Sequence, residues 1–181
     1  METITIQIFQ DDVYEEVAKA TDYTGSKLID GDEGARDRIL AADDDLAELG
    51  RFWEESAAAA NESLKEMLVS GVTRSIPPAA TPIQPEIRLA GPEGGAPPVV
   101  QPTMARKGYE AVIEVSKAFD KVLAASVQST LRSYFIASII GQWFKFANKG
   151  EAKDYFAQAA DMMEAAERLL YSRRKPTRPT D

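Results

Sequence analysis

The sequence predicts a mainly α protein: a helical bundle with long antiparallel helices, one or two short peripheral strands and a proline-rich loop or arm. Three observations predict it. Apolar residues recur at threes and fours through several long stretches, the signature of amphipathic helices. The run Tyr134 to Ala147 (YFIASIIGQWFKFA) is almost continuously apolar and leads through Asn148-Lys149-Gly150 into another amphipathic stretch. Period-2 alternation, by contrast, is confined to two short segments. With 181 residues, 44% hydrophobic and 28% charged, the chain reads as one helical domain over 1–181 with ample core.

Ile4, Ile6 and Ile8 alternate with Thr3, Thr5 and Gln7, which predicts a short, half-buried edge strand. Asp11 or Asp12 caps a following helix to about Ala20 or somewhat further, and Thr21 to Ser26 then breaks or turns the chain. After the loop Asp30 to Gly34, a long helix is expected over roughly 35–70. Its seam is Ile39, Ala42, Leu46, Leu49, Trp53, Ala57, Ala60, Leu64, Met67 and Leu68, with Gly50 as a bend or close-contact point. Residues 76–103 hold eight of the ten prolines with Gly91, Gly94 and Gly95, which forbids helix and central strand and leaves a surface loop or an extended arm.

Tyr109, Ala111, Ile113 and Val115 then predict a second strand, pairing with residues 86–89 or with the N-terminal strand. Ser116 caps a helix expected from about Lys117 to Ala147, with Phe119, Val122, Leu123, Val127, Leu131, Phe135, Ile139, Trp143 and Phe146 along one stripe. Tyr134, Ile136, Ile140 and Phe144 widen that stripe, so at least two neighbours must cover it. Asn148 to Gly150 supplies a tight link, and a closing helix runs from Glu151 to about Ser172. The hairpin 117–172 is the expected stability core.

Composition removes much chemistry. Without cysteine or histidine the chain has no thiol nucleophile, disulfide, serine-histidine-aspartate arrangement or ordinary neutral-pH base. A calcium loop from Asp30 fails, because Ala35 stands where glycine is needed and Ala41 where the last acidic ligand is needed. Adjacent aspartates at 43–45 point to different sides of a helix and decorate a solvated face. Gly91 to Gly95 lacks the lysine and the strand–helix context of a phosphate loop, and the adjacent pairs Ser26-Lys27 and Ser116-Lys117 do not by adjacency make a catalytic pair. Trp53 and Trp143 fall on apolar seams and read as core. No catalytic, cofactor-binding or metal-binding residue is therefore assigned, no cofactor is expected, and the chain is expected not to be an enzyme. The longest apolar run is too short for a bilayer span. The N-terminus METITIQIF lacks the features of a signal peptide, which predicts the cytoplasm.

Charge is unevenly distributed. Residues 1–104 carry 20 acidic against 8 basic side chains, and residues 105–181 carry 9 against 13. The basic excess culminates in a tail over 173–181, where Pro176 and Pro179 prevent continuation of the helix. Arg168, Arg173, Arg174, Lys175 and Arg178 are the candidate partner-binding residues. They can dock on acidic groups of a partner, favour the helix C-terminus through its dipole, or contact phosphates, in that order. A net charge of −8 and the lack of a recognised motif oppose sequence-specific nucleic-acid binding.

The segments LAELGRFWEESAAAANESLKEML, LRSYFIASIIGQWFKFA and LLYSRRKPTRP, in that order after a short N-terminal element and around an irregular middle, resemble the head-tail connector, or neck adaptor, proteins of tailed bacteriophages and prophages. The resemblance implies small, mostly helical subunits that form a homo-oligomeric ring. It implies a portal protein above, gripped by the C-terminal segment, and tail-side neck proteins below. DNA would pass through the ring, and the protein would move from the bacterial cytoplasm during assembly to the virion neck. The insert 76–103 departs from the compact loop expected in that family. A second reading, from the residues alone, is a cytoplasmic helical module that recruits a partner through its proline-rich arm and basic tail.

Overall fold

In the computed structural model, residues 1–27, 40–41, 45–77 and 104–173 are described. Three strands and four α-helices follow one another as β1 (Glu2–Phe9), α1 (Gln10–Lys27), α2 (Leu46–Leu64), β2 (Leu68–Ile76), β3 (Arg106–Val115), α3 (Ala124–Ala147) and α4 (Lys149–Leu170). The expected helical bundle with peripheral strands is thereby corrected. A three-stranded antiparallel sheet of order β1-β3-β2 is a full structural layer, and its central strand runs through the core.

β3 shows why the sheet is central. Tyr109, Ala111, Ile113 and Val115 are each at most 4% exposed and face the helices together with Ile6 and Ile8 of β1. β1 is an edge strand paired with β3, as its alternation predicts, with Ile4 opposite Ile113 and Ile6 opposite Ala111. Pairing of β3 with residues 86–89 lies outside the described residues.

The expected helix over 35–70 is the larger error. α2 covers only Leu46–Leu64; Leu49, Trp53, Ala57, Ala60 and Leu64 of its seam are buried as predicted and Phe52 and Ser56 join them, but Leu46, also placed on the seam, is 51% exposed. Ile39 and Ala42 lie outside the described residues. Met67 and Leu68 continue the helical spacing by coincidence. From Leu68 the chain is strand β2, rich in the β-branched Val69, Val72 and Thr73 that crowd a helix and suit a pleated surface. Gly50 is neither bend nor contact point, since a Cβ built there meets nothing within 4 Å.

Two smaller corrections are local. α1 continues through Thr21 to Ser26, with the Thr21 and Ser26 hydroxyls satisfied inside the helix by donating to the Val17 and Asp22 carbonyls one turn back, at 3.0 and 2.8 Å. α3 begins at Ala124 rather than Lys117. Ser116 closes a turn instead, and Asp120 accepts from the Val122 N–H at 3.2 Å to start the 3₁₀ turn Lys121–Leu123 that leads into the helix. Val122 and Phe146, both placed on the apolar stripe by spacing, are 80% and 77% exposed.

The helix hairpin is present. Asn148 alone links α3 to α4, with its N–H on the Phe144 carbonyl and its carbonyl accepting from Ala152. Phe144 then meets Tyr155, and Gly141 lies against the ring of Phe156. α3 needs several covers because its stretch 131–144 is buried nearly all round; α1, α2, α4 and β1 pack against the helix. Three of the largest fully buried side chains, Trp53, Tyr109 and Phe135, meet at the junction of sheet and helices. Trp53, Phe135, Tyr109 and Tyr134 form a contiguous aromatic cluster, with ring centroids 4.7–5.5 Å apart. Trp143 is only partly buried, so the two tryptophans do not play equal parts.

Candidate partner-docking surface

The tail root is held by its own domain. Arg173 forms an antiparallel bridge with Phe119, a buried residue between β3 and α3, so the chain leaves α4 beside the start of α3. At the same end, Glu2 at the start of β1 pairs with Val115 at the end of β3, and the Lys121 ammonium lies 3.0 Å from the Glu2 carboxylate. Helix end, strand ends and tail exit are thus gathered at one pole.

Arg168 sits in the last turn of α4, exposed, 3.8 Å from Glu164 one turn earlier. This is a solvated pair of small energetic weight. Of the predicted docking residues, Arg168 and Arg173 are therefore on this pole; Arg174, Lys175 and Arg178 lie outside the described residues. The structure adds residues that the sequence did not mark for docking. Met1, Val122 and Tyr171 are 82%, 80% and 62% exposed, and Lys117 and Lys121 flank Phe119. Exposed apolar side chains rimmed by cations make a surface suited to an acidic, partly apolar partner. Val122 carried a signal in its position just after Asp120, a helix-capping residue type, which places it in a first turn where burial is least assured.

A second feature crosses the outer face of the sheet. Glu110 on β3 is only 8% exposed, and both neighbouring strands supply its partners: Gln7 Nε2 of β1 donates to its Oε2 at 2.9 Å, and the Arg74 guanidinium of β2 pairs with Oε1. The row is structural in chemistry, a nearly buried carboxylate satisfied by one amide and one guanidinium. Nearby, Arg106 at the start of β3 donates to Asp11 at 2.8 Å and also pairs with Asp12. The hydrogen bond from Arg106 holds the Asp11 carboxyl below its ordinary range.

Between α2, α3 and α4 lies a groove of about 560 Å³. Beneath it Ser56, Ser138 and Gln142 share hydrogen bonds that tie α2 to α3, with Ser56 Oγ 2.8 Å from Ser138 Oγ and Gln142 Nε2 donating to Ser56 Oγ at 3.2 Å. No group of three or more acidic side chains placed to hold a metal ion occurs among the described residues. The acidic residues at 30–33 and 43–44 lie outside them. No helix among the described residues is long and apolar enough to cross a membrane. Compared with protein-family models, curated proteins and solved structures, the chain gives no match.

Proposed function

We propose that this chain is a structural subunit of a tailed-phage or prophage neck, a head-tail connector that forms a ring, binds the portal protein on one side and tail-side neck proteins on the other, and lets DNA pass through its lumen. It works by docking and needs no chemistry of its own. The observation that carries the reading is the pole just described. The basic tail follows Arg173 in sequence, at a surface that already combines exposed Met1, Val122 and Tyr171 with Lys121, Arg168 and Arg173. The arginines offer forked, charge-assisted hydrogen bonds to carboxylates on the portal, and the apolar side chains supply area. The uneven charge along the sequence further favours contacts between unlike surfaces of neighbouring copies. The sheet distinguishes this subunit from the mostly helical form that the sequence resemblance implies, so the reading rests on the docking pole rather than on the fold.

Deletion of residues 174–181 tests it. Because Arg173 is itself bridged to Phe119, and Pro176 and Pro179 cannot extend α4, the truncated protein is expected to keep its thermal midpoint while losing co-assembly with the portal of the same genome. Thermal melts and co-sedimentation read the two effects separately. A truncated protein that unfolds, or one that still joins the portal with undiminished affinity, contradicts the assignment of the tail.

A further inference from the structure

Among the described residues the sheet ends in two unpaired edges, β1 and β2, and their chemistry is complementary. In the order β1-β3-β2, with both pairings antiparallel, the outer strands β1 and β2 run parallel to each other. A second copy placed head to tail can therefore set its β1 beside β2 of the first and continue the sheet. Both strands are long for edges, with 8 and 9 residues, and neither contains proline. β1 has no charged residue after Glu2. The bulge of β2 lies at its start, between Leu68 and Ser70, and leaves the rest of the strand regular. Natural edges are usually blunted by short length, proline, inward charge or bulges along the strand. Here the two edge charges are already paired, Glu2 with Lys121 and Arg74 with Glu110.

The polar row supplies the register. Gln7 spends its Nε2 on Glu110, and its Oε1 has no partner among the described residues. Arg74 uses one terminal nitrogen on Glu110, and its side chain remains 54% exposed at the other edge. Among the described residues each copy thus presents an unused acceptor at the β1 edge and unused donors at the β2 edge, on the same face. We propose that the β2 edge of one copy pairs in parallel with the β1 edge of the next, Arg74 of the first donating to Gln7 Oε1 of the second, so that the row Gln7–Glu110–Arg74 repeats from subunit to subunit. This rests on the ring reading for the existence of successive copies and names the surface that joins them.

The register has a geometric consequence. Within one copy Arg74 is level with Gly108 and Phe9, two residues along from Gln7. Setting Arg74 beside the next copy's Gln7 shifts each subunit by two residues, about 7 Å along the strands. A stagger of this kind is what a sheet needs to curve and close rather than extend flat. The same register sets Val72, 44% exposed, beside the exposed Thr5 of the next copy.

The absence of native cysteine makes the test clean. Adjacent strands lie about 4.8 Å apart, within disulfide reach, so the double variant Thr5→Cys, Val72→Cys of the full chain is oxidised mildly at high concentration. A ladder of disulfide-linked dimers, trimers and higher species that collapses under reductant is expected, with an equimolar mixture of the two single variants stopping at dimers. No ladder, or efficient dimerisation of either single variant alone, overturns the head-to-tail edge contact. Light scattering on the wild-type chain separates this from the ring reading. Large oligomers without a ladder sink the edge contact and leave the ring intact. A strict monomer without a ladder sinks the edge contact and leaves the ring to be judged by co-assembly with the portal.

Discussion

Trp53→Ala is expected to destabilise the protein by about 3–5 kcal/mol, as removal of a large aromatic from a closed core does. Trp53 is fully buried and meets Phe135 at 4.7 Å and Tyr14 edge-on at 6.2 Å. Its indole N–H donates to Thr73 Oγ1 at 3.3 Å. The substitution leaves a void where α1, α2, α3 and the sheet converge, and it takes away the donor that ties α2 to β2. For a domain with 5–15 kcal/mol of total stability the loss is severe. Urea denaturation reads it directly. Trp143→Ala is expected to move the midpoint much less, because Trp143 is only partly buried. Equal shifts for the two tryptophans would show that the cluster around Trp53 is not the centre of the core.

Gly108→Ala is expected to cost about 3 kcal/mol or more, at the upper end of overpacking effects. A Cβ at Gly108 would lie 2.4 Å from the backbone oxygen of Ile8, on the partner strand, and 2.9 Å from Ile76 Cδ1. The side chain of Ile76 can shift, but the Ile8 carbonyl belongs to the β1–β3 ladder and moves only if the pairing opens. Gly50→Ala is the internal control. It sits in a helix with nothing near the new methyl, so it should gain up to about 1 kcal/mol from helix propensity alone. Thermal melts of the two variants should therefore shift in opposite directions. A neutral Gly108→Ala would mean that β1 is not seated on β3 as described.

Much of the helical part was legible because its signal is local. The spacing of Leu49, Trp53, Ala57, Ala60 and Leu64 marks one buried face, and the apolar run to Ala147 followed by Asn148 marks a hairpin. β1 and β3 were legible from alternation. What failed was the weight given to the sheet. β2 begins four positions after the end of a helical seam whose spacing Met67 and Leu68 happen to extend, and only the β-branched content of 69–73 argued otherwise. A strand is also completed by a partner far away in sequence: Gly71 pairs with Ala111, and Asn61 of α2 reaches the Gly71 carbonyl at 3.1 Å while accepting from Tyr109 at 2.8 Å. No window of sequence contains those contacts.

The candidate surface was half legible. The basic composition of the tail and its prolines are explicit in the sequence, and they locate Arg168 and Arg173. The anchor that sets the direction of the tail, the bridge between Phe119 and Arg173, joins residues 54 positions apart and depends on the turn that Asp120 imposes before α3. The Gln7–Glu110–Arg74 row is equally nonlocal. Each residue occupies an outward strand position that reads as solvated alone, and only the register shows them satisfying one another.

The central claim is that copies of this chain assemble into a ring on a portal. Electron microscopy of the full-length protein mixed with the portal protein of the same genome tests it most directly. The account predicts annular particles in which a layer of this chain caps one face of the portal around an open channel wide enough for duplex DNA, about 20 Å across. Portal rings that remain bare while this chain stays monomeric, or particles in which it forms compact closed dimers without a channel, would contradict it.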